Sequence, residues 1–192
     1  MRIGAIVLAG GEGKRFGGNK LIVKVGGKML IQYVLEALEG LDRVIVGGKY
    51  IRDLIENFPS EIIIYNPFWK EGMSTSLKLG LRFFNNYDGV IIALGDMPLI
   101  TREIVQKIIN AYDNCKAVVP VYGDNFGNPV LIGKELYKEI EKIVGDIGAR
   151  YIIKNLKKEE ICKVECGEEV VIDVDTPEDL ILVSQKLTSR PL

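Results

Sequence analysis

Short apolar runs of strand length alternate with segments of helical periodicity along the whole 192-residue chain. This alternation is typical of successive βα units, in which helices cover both faces of a mostly parallel sheet. We therefore predict a three-layer α/β/α fold with a Rossmann-like, mostly parallel sheet. No linker rich in Pro, Gly or Ser divides the sequence, so we predict a single domain over residues 1–192.

The predicted strands are rich in Ile and Val, as expected for strands that are covered on both faces. They span residues 3–9, 43–46, 61–65, 89–94, 117–121, 129–132, 161–165 and 170–174. The predicted helices lie near residues 28–38, 51–58, 75–86, 101–113, 134–144, 149–156 and 177–186. Thr101 and Thr176 are suited to cap the N-termini of two of these helices, with Pro177 at the first helical position of the second.

The sequence contains no histidine, which limits its chemistry. A Ser-His-Asp triad, a Cys-His dyad, an imidazole general base and a histidine-ligated metal site are all excluded, so a metal ion must be held by carboxylates. The net charge of −1 provides no basic surface for non-specific nucleic-acid binding. No apolar stretch is long enough to cross a membrane. We predict a cytoplasmic protein without nucleic-acid or membrane partners.

The three cysteines are an odd number and follow no secretory leader, which argues against a disulfide framework and for a reducing compartment. Cys162 and Cys166 would share one face of a predicted strand but lie about 13 Å apart, too far for a bridge. We therefore expect ordinary buried thiols.

A basic, glycine-rich loop, Leu8–Lys20, follows the first predicted strand, where open α/β sheets bind phosphates. Its glycines let backbone N–H groups approach a polyphosphate, and Arg15 and Lys20 would neutralise the remaining charge. The loop lacks the Gly at position 8 and the Ser or Thr at position 15 of a P-loop, and the Gly at position 16 of a dinucleotide fingerprint. The alternative is a flexible glycine turn without a ligand.

Carboxylates follow two later strands. Asp96 follows the carboxyl end of the predicted strand 89–94, at the same edge of the sheet as the glycine loop. Asp173 and Asp175 point to one face of the predicted strand 170–174 because side chains alternate along a strand. We predict that Asp96 binds Mg²⁺ together with Asp175 or Asp173, the alternative for Asp96 being a turn or helix cap. We expect Asp179 to be solvated or capping.

The glycine loop, the carboxylates and the lack of histidine together indicate Mg²⁺-dependent chemistry on a nucleoside triphosphate (NTP). Phosphoryl-type transfer from an NTP can be catalysed almost entirely by positioning and charge neutralisation. A phosphate monoester acceptor would already be an anionic nucleophile at neutral pH, so no general base is required.

These residues resemble the molybdenum cofactor nucleotidyltransferases of the MobA-like NTP transferase group, over essentially the whole chain. The similar segments are 8–20, 71–77 with Asn66 before it, 95–99, 127–131, 145–150 and 173–179. The resemblance implies a fold of the nucleotide-diphospho-sugar transferase type. It also implies nucleotidyl transfer from an NTP to molybdopterin phosphate with release of pyrophosphate, and handover of the product to a molybdoenzyme or a chaperone.

The resemblance also assigns roles to residues. Catalysis falls to Arg15, Lys20 and Asp96. Nucleotide binding falls to Leu8, Ala9, Gly10, Gly11, Gly13, Lys20, Asn66, Met73, Ser74 and Asp96. Acceptor binding falls to Asn128, Pro129, Gly148 and Arg150.

Two sets of segments point to different bases for the nucleotide. Residues 8–11 look more like the guanylyl enzymes, whereas segments 95–99, 127–131 and 145–150 look more like the cytidylyl enzymes. Three segments outweigh one, so we predict CTP, with GTP as the alternative. A sugar- or polyol-phosphate nucleotidyltransferase and a nucleotide-binding regulatory module are further alternatives. Segment 145–150 disfavours the former, and the combination of Arg15, Lys20 and Asp96 disfavours the latter.

Overall fold

A computed structural model describes residues 1–189 of the chain. Its strands are β1 (Ile3–Ala9), β2 (Lys24–Val25), β3 (Lys28–Met29), β4 (Asp42–Gly47), β5 (Ile63–Tyr65), β6 (Gly89–Leu94), β7 (Ala117–Tyr122), β8 (Asn125–Phe126), β9 (Val130–Gly133) and β10 (Ile161–Glu165). Its α-helices are α1 (Leu30–Ala37), α2 (Ile51–Asn57), α3 (Met73–Leu81), α4 (Arg102–Asn110), α5 (Tyr137–Ile140), α6 (Ala149–Lys154) and α7 (Pro177–Thr188). Short 3₁₀ helices cover Lys20–Ile22, Trp69–Glu71, Arg82–Phe84, Lys134–Leu136, Lys158–Glu160 and Glu168–Val170.

The main sheet has the strand order β10-β7-β9-β6-β1-β4-β5, and β8 pairs with β7 as a short antiparallel extension. β1 is parallel to both of its neighbours, β4 and β6. β9 is antiparallel to its neighbours β6 and β7, whereas β10 is parallel to β7. The prediction of a mostly parallel sheet is thus confirmed.

Apolar side chains from alternate positions of the sheet fill two cores, one on each face. Ala5, Val7 and Ile91 point to the face that α1 and α4 cover. Ile6 and Leu8 point to the opposite face, which is covered by α3, α5 and α6. This alternation confirms the predicted three-layer arrangement. α7 packs through Val183 against a third, smaller cluster that includes Val174.

The prediction of a strand at residues 170–174 is wrong. The segment forms a 3₁₀ helix at Glu168–Val170 and then an irregular stretch up to α7. Its backbone is paired with loops rather than with a strand: Asn128 N–H donates to Val170 O at 2.8 Å, and Val174 N–H donates to Asp96 O at 2.9 Å. The high content of Val and Ile reflects burial of these side chains, which does not require a ladder.

The predicted absence of a disulfide is also wrong, because Cys115 and Cys162 form one, with 5.8 Å between their Cα atoms. Cys115 precedes β7, and Cys162 lies on the adjacent strand β10, opposite Val118. The partners are 47 residues apart, and the pairing of β10 with β7 brings them close together. Cys166 is free, so the prediction that it does not bridge to Cys162 holds. The cysteines therefore give no support to a reducing compartment.

Two predicted helix starts are confirmed by their caps. Thr101 Oγ1 accepts from Ile104 N–H, and Thr176 Oγ1 accepts from Asp179 N–H with Pro177 at the first helical position. In residues 1–189, no helix combines the length and apolar character that a membrane span needs.

Candidate active site

The glycine-rich loop and Asp96 meet at one edge of the sheet. β1 and β6 are neighbours in register, with Leu8 opposite Leu94, so both strands end at the same level. Gly95 N–H donates to Leu8 O at 3.0 Å, which fixes the turn that carries Asp96 beside the start of the loop. This is the arrangement expected for two parallel strands that end together.

Asp173 and Asp175 reach Asp96 by a different route from the predicted strand. Val174 N–H donates to Asp96 O, and the Val174 side chain is fully buried, so the carboxylates on either side turn back toward Asp96. Asp179 accepts from Asp175 N–H at 3.0 Å and holds the turn that leads into α7. One oxygen from each of Asp96, Asp173 and Asp175 lies within 4.8 Å of the others.

Two cations form ion pairs with this acidic cluster. Lys20 Nζ lies 2.7 Å from Asp96 Oδ2 and 2.8 Å from Asp175 Oδ1. Arg15 Nη2 lies 2.7 Å from Asp175 Oδ2. The Lys20 side chain is 12% exposed, whereas that of Arg15 is 71% exposed. Lys20 is thus an internal member of the cluster, and Arg15 approaches it from solvent.

The charges in the cluster perturb each other. Burial by itself lowers the pKa of Lys20, but Asp96 and Asp175 outweigh it, so the pKa is raised and the ammonium stays protonated. The pKa of Asp173 is raised by desolvation first and then by the negative charges of Asp96 and Asp175. A bound cation would favour the charged form of Asp173.

The acidic cluster fits a hard divalent cation. The Oδ1 atom of Asp96 is buried and has no hydrogen-bond partner among residues 1–189, a state that is costly for a polar atom unless a ligand occupies it. Carboxylate oxygens are the donors preferred by Mg²⁺ and Mn²⁺. Asp96, with Asp175 or Asp173, supplies such donors within a small space.

The loop after β1 depends on Gly13. Gly13 has φ +62° and its carbonyl accepts from Gly17 N–H at 2.8 Å. A Cβ at Gly13 would overlap the carbonyl oxygen of Gly18, so only glycine allows the loop to close. Hydrogen bonds within its own backbone thus hold the loop closed.

Two adjoining clefts open at this edge, and both are lined by Arg15, Met73, Asp96, Asp146 and Asp175. The first cleft, of about 510 Å³, extends toward residues 69–76 and also includes Leu8, Gly10, Gly11 and Asp173. The second, of about 440 Å³, extends along the glycine loop and includes Leu8, Ala9, Gly11, Gly13 and Lys20. The charged cluster thus lies where the two clefts join.

Asn66 and Ser74, predicted to bind the nucleotide, lie behind the wall of the first cleft. Asn66 is 1% exposed and donates to Thr75 Oγ1 at 2.8 Å and to Ser76 Oγ at 2.9 Å. Ser76, which was not predicted as a site residue, lines the cleft. Its Oγ would lie 3.2 Å from a Cβ on Gly10, so the space beside Gly10 is bounded by this hydroxyl.

The four predicted acceptor residues line neither cleft. Asn128 and Pro129 precede β9, Asn128 N–H donates to Val170 O at 2.8 Å, and Arg150 is exposed in the first turn of α6. Gly148 lies beside a cleft residue, because a Cβ there would lie 2.7 Å from Met73 Sδ.

Sequence reasoning missed Trp69 and Asp146 as cleft residues. Trp69 is half-buried and lines the first cleft. Its position between Asn66 and segment 71–77 was the available signal. Asp146 lines both clefts and lies within the 145–150 motif, but nothing in its spacing indicated which way it would turn.

Residues 5–161 match the family model of the MobA-like NTP transferase domain. The probable molybdenum cofactor guanylyltransferase of Thermococcus kodakarensis is 33% identical over 138 residues, which cover 67% of this chain and 63% of that protein. The match thus spans less than two thirds of the archaeal relative. The molybdenum cofactor cytidylyltransferase of Escherichia coli K12 is 26% identical over 193 residues, 97% of both chains.

Among solved structures, the manganese complex of Rv0371C from Mycobacterium tuberculosis H37Rv is similar, with a TM-score of 0.79 and 19% identity. The similarity covers 96% of this chain and 99% of that chain, which shows that the two share a fold. Together with the family match, it confirms the predicted fold type.

Proposed function

Because the chain belongs to the MobA-like NTP transferase domain family, we propose that it transfers a nucleotidyl group from an NTP to a molybdopterin-type phosphate and releases pyrophosphate. The proposal rests on one observation. Lys20 and Arg15 form ion pairs with Asp96 and Asp175 where the two clefts meet. Opposite charges held at the shared end of two clefts are suited to a reaction in which two anionic substrates meet.

The glycine loop and the two cations would bind the triphosphate. Gly10, Gly11 and Gly13 line the clefts, and Lys20 is held in place by two carboxylates. Lys20 and Arg15 would stabilise the charge that develops on the α-phosphate and on the departing pyrophosphate. Because Arg15 is largely exposed, it is free to exchange its contact with Asp175 for one with a phosphate.

Asp96, with Asp175 or Asp173, would hold Mg²⁺. The buried Oδ1 atom of Asp96 and the close approach of the three carboxylates support this assignment, as does the manganese bound to the structural relative. When bound, the cation would neutralise phosphate charge and orient the triphosphate.

The acceptor needs no protein base. A phosphate monoester is anionic at neutral pH, and the absence of histidine is compatible with a reaction that relies on positioning and charge. Acceptor binding by Asn128, Pro129, Gly148 and Arg150 stays a prediction, since none of the four lines either cleft. The proximity of Gly148 to Met73 supports the part of it that concerns Gly148. Cytoplasmic location and handover to a molybdoenzyme or chaperone stay predictions.

We propose CTP as the nucleotide. The match to the Escherichia coli cytidylyltransferase over 97% of both chains supports this choice, together with segments 95–99, 127–131 and 145–150. GTP is the second candidate, favoured by Gly10 and by the Thermococcus kodakarensis relative.

Pyrophosphate release with each of the four NTPs, with and without molybdopterin, tests the proposal. We expect Mg²⁺-dependent release with CTP that requires molybdopterin. Release that requires a sugar or polyol phosphate instead would favour the related nucleotidyltransferases, and NTP binding without release under any condition would favour a regulatory module.

A further inference from the structure

We propose that Asp146, in the loop before α6, is a positioning residue. It caps the N-terminus of α3 and so holds together two segments that line the active-site clefts. We call this contact the clasp. The kinetic consequences of this clasp rest on the proposed function. The clasp itself rests on contacts among residues 72–74 and 145–148.

The first turn of α3 takes its cap from a distant part of the chain. A helix start leaves backbone N–H groups without partners, and Gly72, which precedes α3, has no side chain to satisfy them. Met73 N–H donates to Asp146 Oδ1 at 3.2 Å, and Ser74 N–H donates to Gly145 O at 3.2 Å. One carboxylate and one carbonyl thus join the start of α3 to the loop before α6.

Gly72 makes this approach possible. It has φ +111°, a conformation that favours glycine, and a Cβ on it would overlap the backbone of Gly145 and Asp146. Because the obstructing atoms are backbone atoms, a side chain at Gly72 could be accommodated only by moving the loop away. The glycine therefore allows the two segments to lie in direct contact.

The clasp joins the parts of the molecule that would bind the two substrates. Gly72 and Met73 line the first cleft together with Trp69, on the side predicted to bind the nucleotide. The loop that carries Asp146 is followed by Gly148 and Arg150, which are predicted to bind the acceptor. Met73 and Asp146 both line the junction of the clefts. The contact thus sets the spacing between nucleotide and acceptor, on which in-line transfer depends.

Two substitutions at Asp146 separate positioning from charge. Asp146→Asn keeps an oxygen that can accept from Met73 N–H but removes the charge, whereas Asp146→Ala removes both. We expect Asp146→Asn to stay within about threefold of wild type in kcat/KM for the acceptor, and Asp146→Ala to lose about tenfold. Equal damage in the two variants, or wild-type behaviour of Asp146→Ala, would overturn the proposal. Asp124→Ala, which removes an exposed carboxylate between β7 and β8, is the matched control and should change nothing.

Trp69 provides a readout that does not need turnover, because it is the sole tryptophan and lines the first cleft. Titration of its emission with CTP and Mg²⁺ should show about fivefold weaker half-saturation in Asp146→Ala and unchanged binding in Asp146→Asn, since only alanine removes the cap. Identical titrations for wild type and Asp146→Ala would contradict the clasp. If wild type binds CTP but releases no pyrophosphate with molybdopterin, the proposed function fails while this titration still judges the clasp.

Gly72→Ala tests the same contact from the opposite side. It keeps the Asp146 side chain but forces the loop that carries it away from α3, so we expect it to weaken CTP binding at least as much as Asp146→Ala. A folded Gly72→Ala protein with wild-type binding would contradict the proposal. Circular dichroism establishes whether the variant is folded, and if it is not, the two Asp146 variants decide.

Discussion

Breaking the Cys115–Cys162 disulfide should lower the stability of the protein by an amount that follows from its position in the chain. The bridge joins residues 47 positions apart, between the segment before β7 and the edge strand β10. In the chain-entropy model, closing a loop of this length in the unfolded state contributes about 4 kcal/mol at 25 °C. For a protein of this size, ~1 kcal/mol corresponds to about 2–4 °C in melting temperature, so loss of the bridge should lower it by about 8–16 °C.

Thermal melts followed by circular dichroism, on oxidised protein with and without a phosphine reductant, measure this difference. The Cys115→Ser, Cys162→Ser double variant should melt near the reduced wild type and should not respond to the reductant. Cys166→Ser is the matched control, because this thiol is free, and it should keep the full response. Equal melting temperatures for the oxidised and reduced wild type, with the bridge verified by mass spectrometry, would refute the entropic reasoning. Three titratable thiols in unfolded, non-reduced protein would refute the bridge itself.

The remaining predictions concern the site. Asp96→Asn removes the charge that would hold Mg²⁺, so pyrophosphate release should fall by at least ~10²-fold in a protein with an unchanged circular dichroism spectrum; near-normal turnover would contradict the metal assignment. Asp173→Asn and Asp175→Asn should differ in their Mg²⁺ titrations, and a silent variant identifies the carboxylate that is not the second ligand. Lys20→Ala should lower kcat more than it raises the KM for the NTP. A change in KM alone would make Lys20 a ground-state phosphate binder. Gly10→Ala should keep activity with CTP and reduce any activity with GTP, as measured by kcat/KM for both nucleotides; a clear wild-type preference for GTP would overturn the choice of CTP.

The layers and the edge of the sheet that carries the site could be predicted because they depend on local patterns. Apolar runs such as 3–9 and 89–94 have the length and composition of buried strands, and parallel strands that end together bring the residues after them to one place. The neighbourhood of the glycine loop and Asp96 follows from these two facts.

The route by which Asp173 and Asp175 reach Asp96 could not be predicted from composition. Val170 and Val174 are fully buried like strand residues, but their backbone groups pair with Asn128 and Asp96 in loops. The alternation of side chains still brought the two carboxylates to one side, because Val174 turns inward between them.

Contacts between segments that are distant in sequence could not be predicted, for a different reason. The pairing of Cys115 with Cys162 depends on which strand lies beside β7, and strand order is not encoded in the spacing of cysteines. The turn of Asp146 toward Met73 likewise depends on the packing of α3 beside the loop before α6, 73 residues away. No local pattern in one sequence specifies either contact.

Mass spectrometry of the product tests the proposed transfer most directly. Purified protein is incubated with Mg²⁺, molybdopterin and either CTP or GTP, with Asp96→Asn in parallel. We predict that the wild type yields molybdopterin enlarged by one cytidylyl group, together with one pyrophosphate per product, and that Asp96→Asn yields almost none. Unmodified molybdopterin with both nucleotides, or nucleotide hydrolysis without transfer, would contradict nucleotidyl transfer by this site.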